Sequence, residues 1–124
     1  MTAVPKRRSL RIVVADDERD EVITLLLLRA EGHQVRGVHR GSEVLAVVRD
    51  FKPHAVLLDI AMPDMSGYKV APEILTCDPR NRPILIGISG RYQQNVDRTL
   101  AAINGFNHYL LKPYDFQDLL ALLR

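Results

Sequence analysis

The sequence predicts an α/β protein in which a parallel sheet lies between two layers of helices. Short runs rich in valine, isoleucine and leucine alternate along the chain with segments whose apolar residues recur at helical spacing. Five such pairs follow one another, and no linker or internal repeat interrupts them. Because parallel strands joined by helices need right-handed crossovers, we expect helices on both faces of the sheet, which gives a three-layer α/β/α sandwich.

The first strand and helix follow from residues 11–33. Residues 11–17 (RIVVADD) are a β-branched run that ends on two carboxylates. The segment 19–33 is predicted to be a helix that Gly32 ends, because four of its residues recur at helical spacing. These four residues are Val22, Leu25, Leu26 and Arg29.

The second pair begins with a weaker strand at residues 34–38 (QVRGV). Ser42 is a candidate N-cap for the helix that follows, since serine at this position accepts a hydrogen bond from the first turn. This helix is predicted over 42–51 and ends before Pro53. Residues 55–59 (AVLLD) are the third strand.

A shorter third helix is predicted over 67–77, and Pro72 inside it is expected to kink or shorten it. The fourth strand covers residues 83–89, and an amphipathic helix over 93–104 ends at Gly105.

The last pair is a strand at 108–112 (HYLLK) and a helix at 114–124 (YDFQDLLALLR). This helix follows Pro113, and Asp115 is a candidate for its N-cap.

Length and composition indicate one ordinary globular domain. The chain has 124 residues, of which 47% are hydrophobic and 26% charged, so we expect one domain over residues 10–124 and a disordered tail or linker over residues 1–9.

No apolar run approaches the ~18–20 residues that cross a bilayer, so no membrane insertion is expected. The single Cys77 fits a reducing cytoplasm. The net charge of +2 is spread along the chain apart from Lys6-Arg7-Arg8, which argues against direct nucleic-acid binding.

Polar side chains stand at the ends of four of the five predicted strands. They are Asp16 and Asp17, Asp59, Ser89, and Lys112. Ligands of doubly wound sheets bind at the carboxyl ends of the strands, so we expect these side chains to converge on one site although they lie far apart in sequence.

The chemistry of this set indicates phosphoryl transfer. Clustered carboxylates repel one another unless cations neutralise them, and Lys112 supplies one positive charge. A divalent ion would supply more, and oxygen ligands favour Mg²⁺, or Mn²⁺, over Zn²⁺. The four histidines show no metal-ligand spacing; they are His33, His39, His54 and His108. A carboxylate beside a divalent ion, a lysine and a hydroxyl can form an aspartyl-phosphate, and Asp59 is the candidate nucleophile.

Four motifs in this order resemble the receiver domain of two-component response regulators, over roughly residues 10–124. They are VVADDE, LLDIAMPDMSG, GISG and YLLKPY. The resemblance implies a flavodoxin-like (βα)5 fold with strand order 2-1-3-4-5. It also implies that a histidine kinase or histidine phosphotransfer protein donates the phosphoryl group, and that the domain is a switch rather than an enzyme.

The resemblance assigns a role to each matching residue of the pocket. Asp59 is the phosphorylated residue, Asp17 a direct Mg²⁺ ligand, and Asp16 a ligand through water, while Ala61 contributes its backbone carbonyl. Lys112 pairs with the phosphoryl group.

Further matches concern the conformational switch and the lifetime of the phosphoryl group. Ser89 turns its hydroxyl toward the phosphoryl group, Tyr109 is the aromatic switch, and Pro113 follows a cis peptide bond that directs Lys112 inward. The side chains of Ala61 and Arg91 are expected to tune how long the phosphoryl group survives. The expected partner or output domain binds the face formed by the fourth helix, the fifth strand and the last helix.

Simpler structural interpretations stay open for several of these residues. The pair Asp16-Asp17 can cap the first helix, Ser89 can merely end a strand, and Tyr109 can be an ordinary half-buried aromatic.

Two alternative functions each require residues that this sequence lacks at the relevant positions. A small Mg²⁺-dependent phosphohydrolase needs a second carboxylate two residues after Asp59, where Ala61 stands. A nucleotide-binding module needs glycines in the first βα turn, which reads ADDERDE. The chain is expected to be a piece of a larger protein, such as a hybrid sensor histidine kinase or a longer regulator, and a stand-alone receiver is the alternative.

Overall fold

The computed structural model describes residues 9–16, 20–90 and 102–123. Nine regular elements lie in these ranges, and strands and helices are numbered separately along the chain. They are β1 (Arg11–Ala15), α1 (Asp20–Ala30), β2 (Gln34–Val38), α2 (Gly41–Phe51), β3 (Ala55–Asp59), α3 (Gly67–Cys77), β4 (Ile84–Ser89), β5 (His108–Leu111) and α4 (Phe116–Leu122). Most of the helix predicted over 93–104, and the tail predicted over 1–9 apart from Ser9, lie outside the described residues.

The five strands form one parallel sheet in the order β2-β1-β3-β4-β5. This confirms the α/β/α sandwich predicted from the alternation of strands and helices, and the strand order that the resemblance implied. β3 is central, and all five of its residues are buried, as expected for a parallel strand covered on both faces.

The helices divide between the two faces of the sheet and bury two separate apolar cores. On one face, α2 and α3 pack Val44, Val48 and Ile74 against alternate residues of β1 and β3. On the other face, α1 and α4 contribute Leu28 and Leu119. Alternate side chains of each central strand thus enter opposite cores. No helix within the described ranges is long and apolar enough to cross a membrane.

The buried face of α1 is not the one that carries the four residues whose spacing predicted the helix. Val22 and Leu26, two of these four residues, are 51% and 57% exposed. The buried side chains are Glu21 and Leu28, seven residues apart and hence on one side of the helix. Because α1 carries apolar residues around most of its circumference, helical spacing alone did not identify the side that packs on the sheet.

The predicted N-cap of α2 is also wrong. The helix begins at Gly41 with Arg40 as N-cap, and Arg40 makes no side-chain capping hydrogen bond. Instead the carboxylate of Asp64 accepts hydrogen bonds from the backbone N–H groups of Gly41 and Ser42, at 2.9 and 3.1 Å. Ser42 lies inside the first turn, so a side chain more than twenty residues away satisfies the donors that a local cap would otherwise satisfy.

Other predicted boundaries are confirmed. Asp115 caps α4 by accepting a hydrogen bond from the Gln117 N–H at 2.9 Å. α1 ends at Ala30, and Gly32 follows with φ of 95°, a left-handed conformation that glycine adopts readily. α3 spans the full predicted range without shortening, although Pro72, which lies on its exposed side, has no backbone N–H to donate within the helix.

Candidate functional site

The carboxyl ends of the strands bring together four of the polar residues predicted from the sequence. Asp16 follows β1, Asp59 ends β3, Ser89 ends β4, and Lys112 follows β5. Asp16 and Asp59 are each only 4% exposed, and Ser89 is fully buried. These side chains therefore leave the sheet into a recess rather than into bulk water.

Lys112 connects the two buried carboxylates. Its Nζ atom lies 2.9 Å from Asp16 Oδ2 and 3.3 Å from Asp59 Oδ2. The backbone N–H of Lys112 donates to the carbonyl of Ser89 at 2.7 Å, which links the end of β5 to the end of β4. The peptide bond between Lys112 and Pro113 is cis.

The carboxyl group of Asp59 is held from two sides. Its Oδ1 atom accepts a hydrogen bond from the Ala61 N–H at 2.9 Å, and its Oδ2 atom faces Lys112. Burial raises the pKa of Asp59 to about 6, and the negative charge of Asp16 acts in the same direction. The Ala61 N–H and Lys112 oppose this rise but do not cancel it.

This charge balance fits a divalent cation. Two buried carboxylates share one ammonium group, so two negative charges in the recess face one positive charge. Hard oxygen donors of this kind suit Mg²⁺. Within the described ranges no group of three or more His, Cys, Asp or Glu side chains is placed to hold a metal ion. Asp17, the third carboxylate of the predicted set, lies outside these ranges, as does Arg91.

The loop after β3 is packed closely against the strand. The Gly67 N–H donates to the Ile60 carbonyl at 2.8 Å. A Cβ atom at Gly67 would lie 2.9 Å from the Asp59 carbonyl oxygen, so only glycine allows the start of α3 to approach this closely. Ser66 caps α3 by accepting a hydrogen bond from the Tyr68 N–H. Met62 is buried and anchors the loop in the core.

The two residues predicted to take part in switching occupy neighbouring strands. The Ser89 hydroxyl donates to the Gly90 carbonyl at 3.2 Å. Tyr109 pairs with Gly87 across β4 and β5, is half-buried, and packs against the core on the α2 and α3 side. Ser89 therefore lies in the recess, whereas Tyr109 lies on β5 before the strand reaches Lys112.

Sequence reasoning missed Glu21, a buried carboxylate close to the recess. Its side chain is 3% exposed, and Oε2 lies 3.0 Å from the Nδ1 atom of His39. Burial raises the pKa of Glu21; His39 opposes this rise and Asp16 adds to it. A Cβ atom at Gly37 would collide with Glu21 Oε1, so the glycine leaves room for the carboxylate. The spacing of Glu21, Leu25 and Leu28 on one side of α1 was the available signal.

The strand order and the position of the recess place the chain among flavodoxin-like α/β proteins. The family model of the response regulator receiver domain matches residues 12–124, and the chain belongs to this family. This confirms the family that the four motifs indicated.

Curated relatives agree with this assignment. Protein PilH of Pseudomonas aeruginosa is 34% identical over 111 residues, which cover 89% of this chain and 91% of PilH. The DNA-binding response regulator MtrA of Mycolicibacterium smegmatis is 32% identical over 116 residues, which cover 92% of this chain and 49% of MtrA. The chain thus spans about half the length of MtrA but nearly all of PilH.

Solved structures show the same fold. A CheY-like receiver domain protein from Methanospirillum hungatei superimposes with a TM-score of 0.84 at 26% identity, covering 94% of this chain and 91% of that chain. A signal receiver domain from Bermanella marisrubri gives a TM-score of 0.82 at 27% identity, with 94% and 96% covered.

Proposed function

We propose that this receiver domain accepts a phosphoryl group on Asp59 from the phosphohistidine of a histidine kinase or a histidine phosphotransfer protein. The observation that carries the proposal is the position of the Asp59 carboxylate at the end of β3, buried beside Asp16 and within 3.3 Å of the Lys112 ammonium group. A carboxylate in such a recess is shielded from water but still reached by a cation that stabilises transferred charge.

In the transfer, an oxygen of the Asp59 carboxylate bonds to phosphorus while the bond from phosphorus to the donor imidazole breaks. The Ala61 N–H fixes the orientation of the carboxylate through Oδ1, and Lys112 is placed to neutralise charge on the phosphoryl oxygens. The hydroxyl of Ser89, at the end of the neighbouring strand, is proposed to turn from the Gly90 carbonyl to a phosphoryl oxygen.

A Mg²⁺ ion, or Mn²⁺, would be held by Asp16 through water, Asp17, Asp59 and the carbonyl of Ala61. When bound, the ion supplies positive charge at the transferring oxygens. The receiver domain of the sensor histidine kinase PA1611 from Pseudomonas aeruginosa, which shares the fold at 24% identity, has a magnesium ion coordinated in its active site cleft.

The output is proposed to be a change of shape rather than a reaction on a substrate. Ser89 and Tyr109 would move together when Asp59 is phosphorylated and would favour a partner or output domain on the face that includes β5 and α4. The phosphoryl group is expected to be long-lived, because Ala61 has no polar side chain to orient a water and Arg91 carries a cation rather than a base. A stand-alone regulator and the receiver of a hybrid kinase, both in the cytoplasm, are consistent with this role.

The phosphohydrolase alternative is not favoured by the geometry. It needs a carboxyl group at position 61 to protonate the leaving group, and Ala61 offers only a backbone N–H that already donates to Asp59 Oδ1.

The test is intact mass measurement after incubation with acetyl phosphate and Mg²⁺. We expect one added phosphate on the parent and on Asp64→Asn, a matched control in the loop that follows Asp59. We expect none on Asp59→Asn. An unchanged mass gain in Asp59→Asn would show that another residue is the acceptor.

A further inference from the structure

A cavity of about 690 Å³ opens at the amino-terminal ends of the strands, opposite to the end that holds Asp59. Ala55 and Ile84, the first residues of β3 and β4, form part of its wall, and Leu120 and Leu123 close one side. Ala55 and Asp59 are four residues apart along β3, or roughly 13 Å, so this cavity is separate from the phosphoacceptor recess. Its volume lies in the range of small-molecule sites, about 300–1,000 Å³.

The charged side chains that line the cavity are all cationic. They are Arg11, Lys52 and Arg82, and the described lining includes no aspartate or glutamate. Arg11 is fixed in place, because its Nε donates to the carbonyls of Phe51 and Lys52 at 3.1 and 3.0 Å. A local excess of positive charge in a chain of net charge +2 favours an anionic ligand.

Two histidines, His33 and His54, lie in the same wall. The Nδ1 atom of His33 accepts from the Leu10 N–H at 3.1 Å, and Nδ1 of His54 accepts from the Arg11 N–H at 2.9 Å. These two backbone hydrogen bonds hold both imidazole rings in the wall of the cavity.

We propose that this cavity binds a small organic anion. Its apolar part would pack on Leu120 and Ile84, and its carboxylate, sulfonate or phosphate group would lie among Arg11, Lys52 and Arg82. A neutral apolar compound would remove these cations from water without compensation, and a bare inorganic anion would leave the apolar wall uncovered. The cationic stretch at residues 6–8 has the wrong charge to be the occupant.

The test uses 8-anilinonaphthalene-1-sulfonate, an organic anion with an aromatic body, in a ¹⁵N NMR titration of the whole chain. We expect saturable binding, with amide shifts concentrated at His33, His54 and Arg82. The uncharged N-phenyl-1-naphthylamine and inorganic sulfate should each bind much more weakly. Arg82→Glu should weaken binding by about tenfold, the loss expected for one charged hydrogen bond. Lys69→Glu, the same charge change at an exposed position of α3, should leave it unchanged.

Three results would overturn the proposal. The first is a set of shifts centred on the exposed apolar residues of α1, which include Ile23 and Leu26. The second is equal affinity for the uncharged probe. The third is binding to Arg82→Glu as tight as to the parent. Arg82→Gln removes the charge without reversing it and should give an intermediate loss, which provides a second variant should Arg82→Glu fold poorly.

Discussion

The ammonium group of Lys112 lies 3.3 Å from the Oδ2 atom of Asp59, although 53 positions separate the two residues in the sequence. β4 lies between the strands that carry them, so only the complete parallel sheet brings the two groups together. The same ammonium group is 2.9 Å from Asp16, which makes Lys112 the shared cation of the recess. The first predictions follow from this arrangement.

Replacing Lys112 with alanine should slow phosphorylation of Asp59 by acetyl phosphate by about 100-fold, because one preorganised positive charge is lost from the site of transfer. The rate is measured by intact mass against time in Mg²⁺ buffer. Lys69→Ala removes the same charge from an exposed position and should react at the parent rate. If Lys112→Ala reacts within a factor of about two of the parent rate, Lys112 does not contribute to the transfer step.

Replacing Asp59 with asparagine should raise the free energy of unfolding of the metal-free protein at pH 8, on the order of 1–3 kcal/mol. Burial raises the pKa of Asp59 from 3.8 to about 6, so the folded state resists ionisation of this group. Ionisation of Asp59 therefore lowers the stability of the parent as the pH rises from about 4 to above 6, and Asp59→Asn lacks this contribution.

Urea titrations in EDTA from pH 4 to 8 check this difference. It should be largest at pH 8, small at pH 4, and reduced by added Mg²⁺. A difference that does not change with pH would contradict the raised pKa.

The sequence predicted the fold well where the local signals were strong. β2, β3 and α3 have the predicted bounds, because each is an apolar segment bordered by glycine, proline or a polar loop. The strand order followed from the family resemblance and not from spacing. The sequence did not identify the buried side of α1, because apolar residues surround that helix. The side that faces the sheet depends on its packing against β2, where Gly37 leaves space for the Glu21 carboxylate.

The candidate site could be predicted where its polar residues directly follow the apolar run of a strand. Asp16, Asp59, Ser89 and Lys112 each stand where an apolar run stops, and parallel strands bring such ends together. The capping role of Asp64 was not predictable in this way. Its hydrogen bonds reach Gly41 and Ser42 across the gap between two loops, and no local pattern in the sequence encodes that contact.

Replacing Asp64 with alanine should lower the melting temperature at pH 7, because the N–H groups of Gly41 and Ser42 lose their acceptor. These hydrogen bonds hold the pKa of Asp64 below its ordinary value of 3.8. The stabilisation is therefore present above pH 3.8 and is lost as the pH falls through the lower folded pKa. Melting curves measured between pH 2.5 and 7 provide the check. Glu73→Ala, which removes an exposed carboxylate from α3, should melt close to the parent, and equal melting of both variants would contradict the capping role.

Replacing Gly67 with alanine should destabilise the protein by about 1–3 kcal/mol and slow phosphorylation. The added Cβ would lie 2.9 Å from both the carbonyl oxygen of Asp59 and the Cα atom of Ile60, so α3 must move away from the end of β3. Gly90→Ala is the matched control, since nothing lies within 4 Å of a Cβ there, and it should change stability by less than about 0.5 kcal/mol. Urea unfolding compares the two variants, and similar losses in both would contradict this account of the loop.

The most direct test of the central claim is to locate the phosphoryl group itself. The protein is phosphorylated with acetyl phosphate and Mg²⁺ and then reduced with sodium borohydride, which converts an aspartyl-phosphate to homoserine, and its peptides are sequenced by mass spectrometry. We predict homoserine at position 59 alone, and none when EDTA replaces Mg²⁺. Homoserine at Asp16, Asp17 or Asp64 with an intact Asp59 would contradict the assignment of Asp59 as the phosphoacceptor.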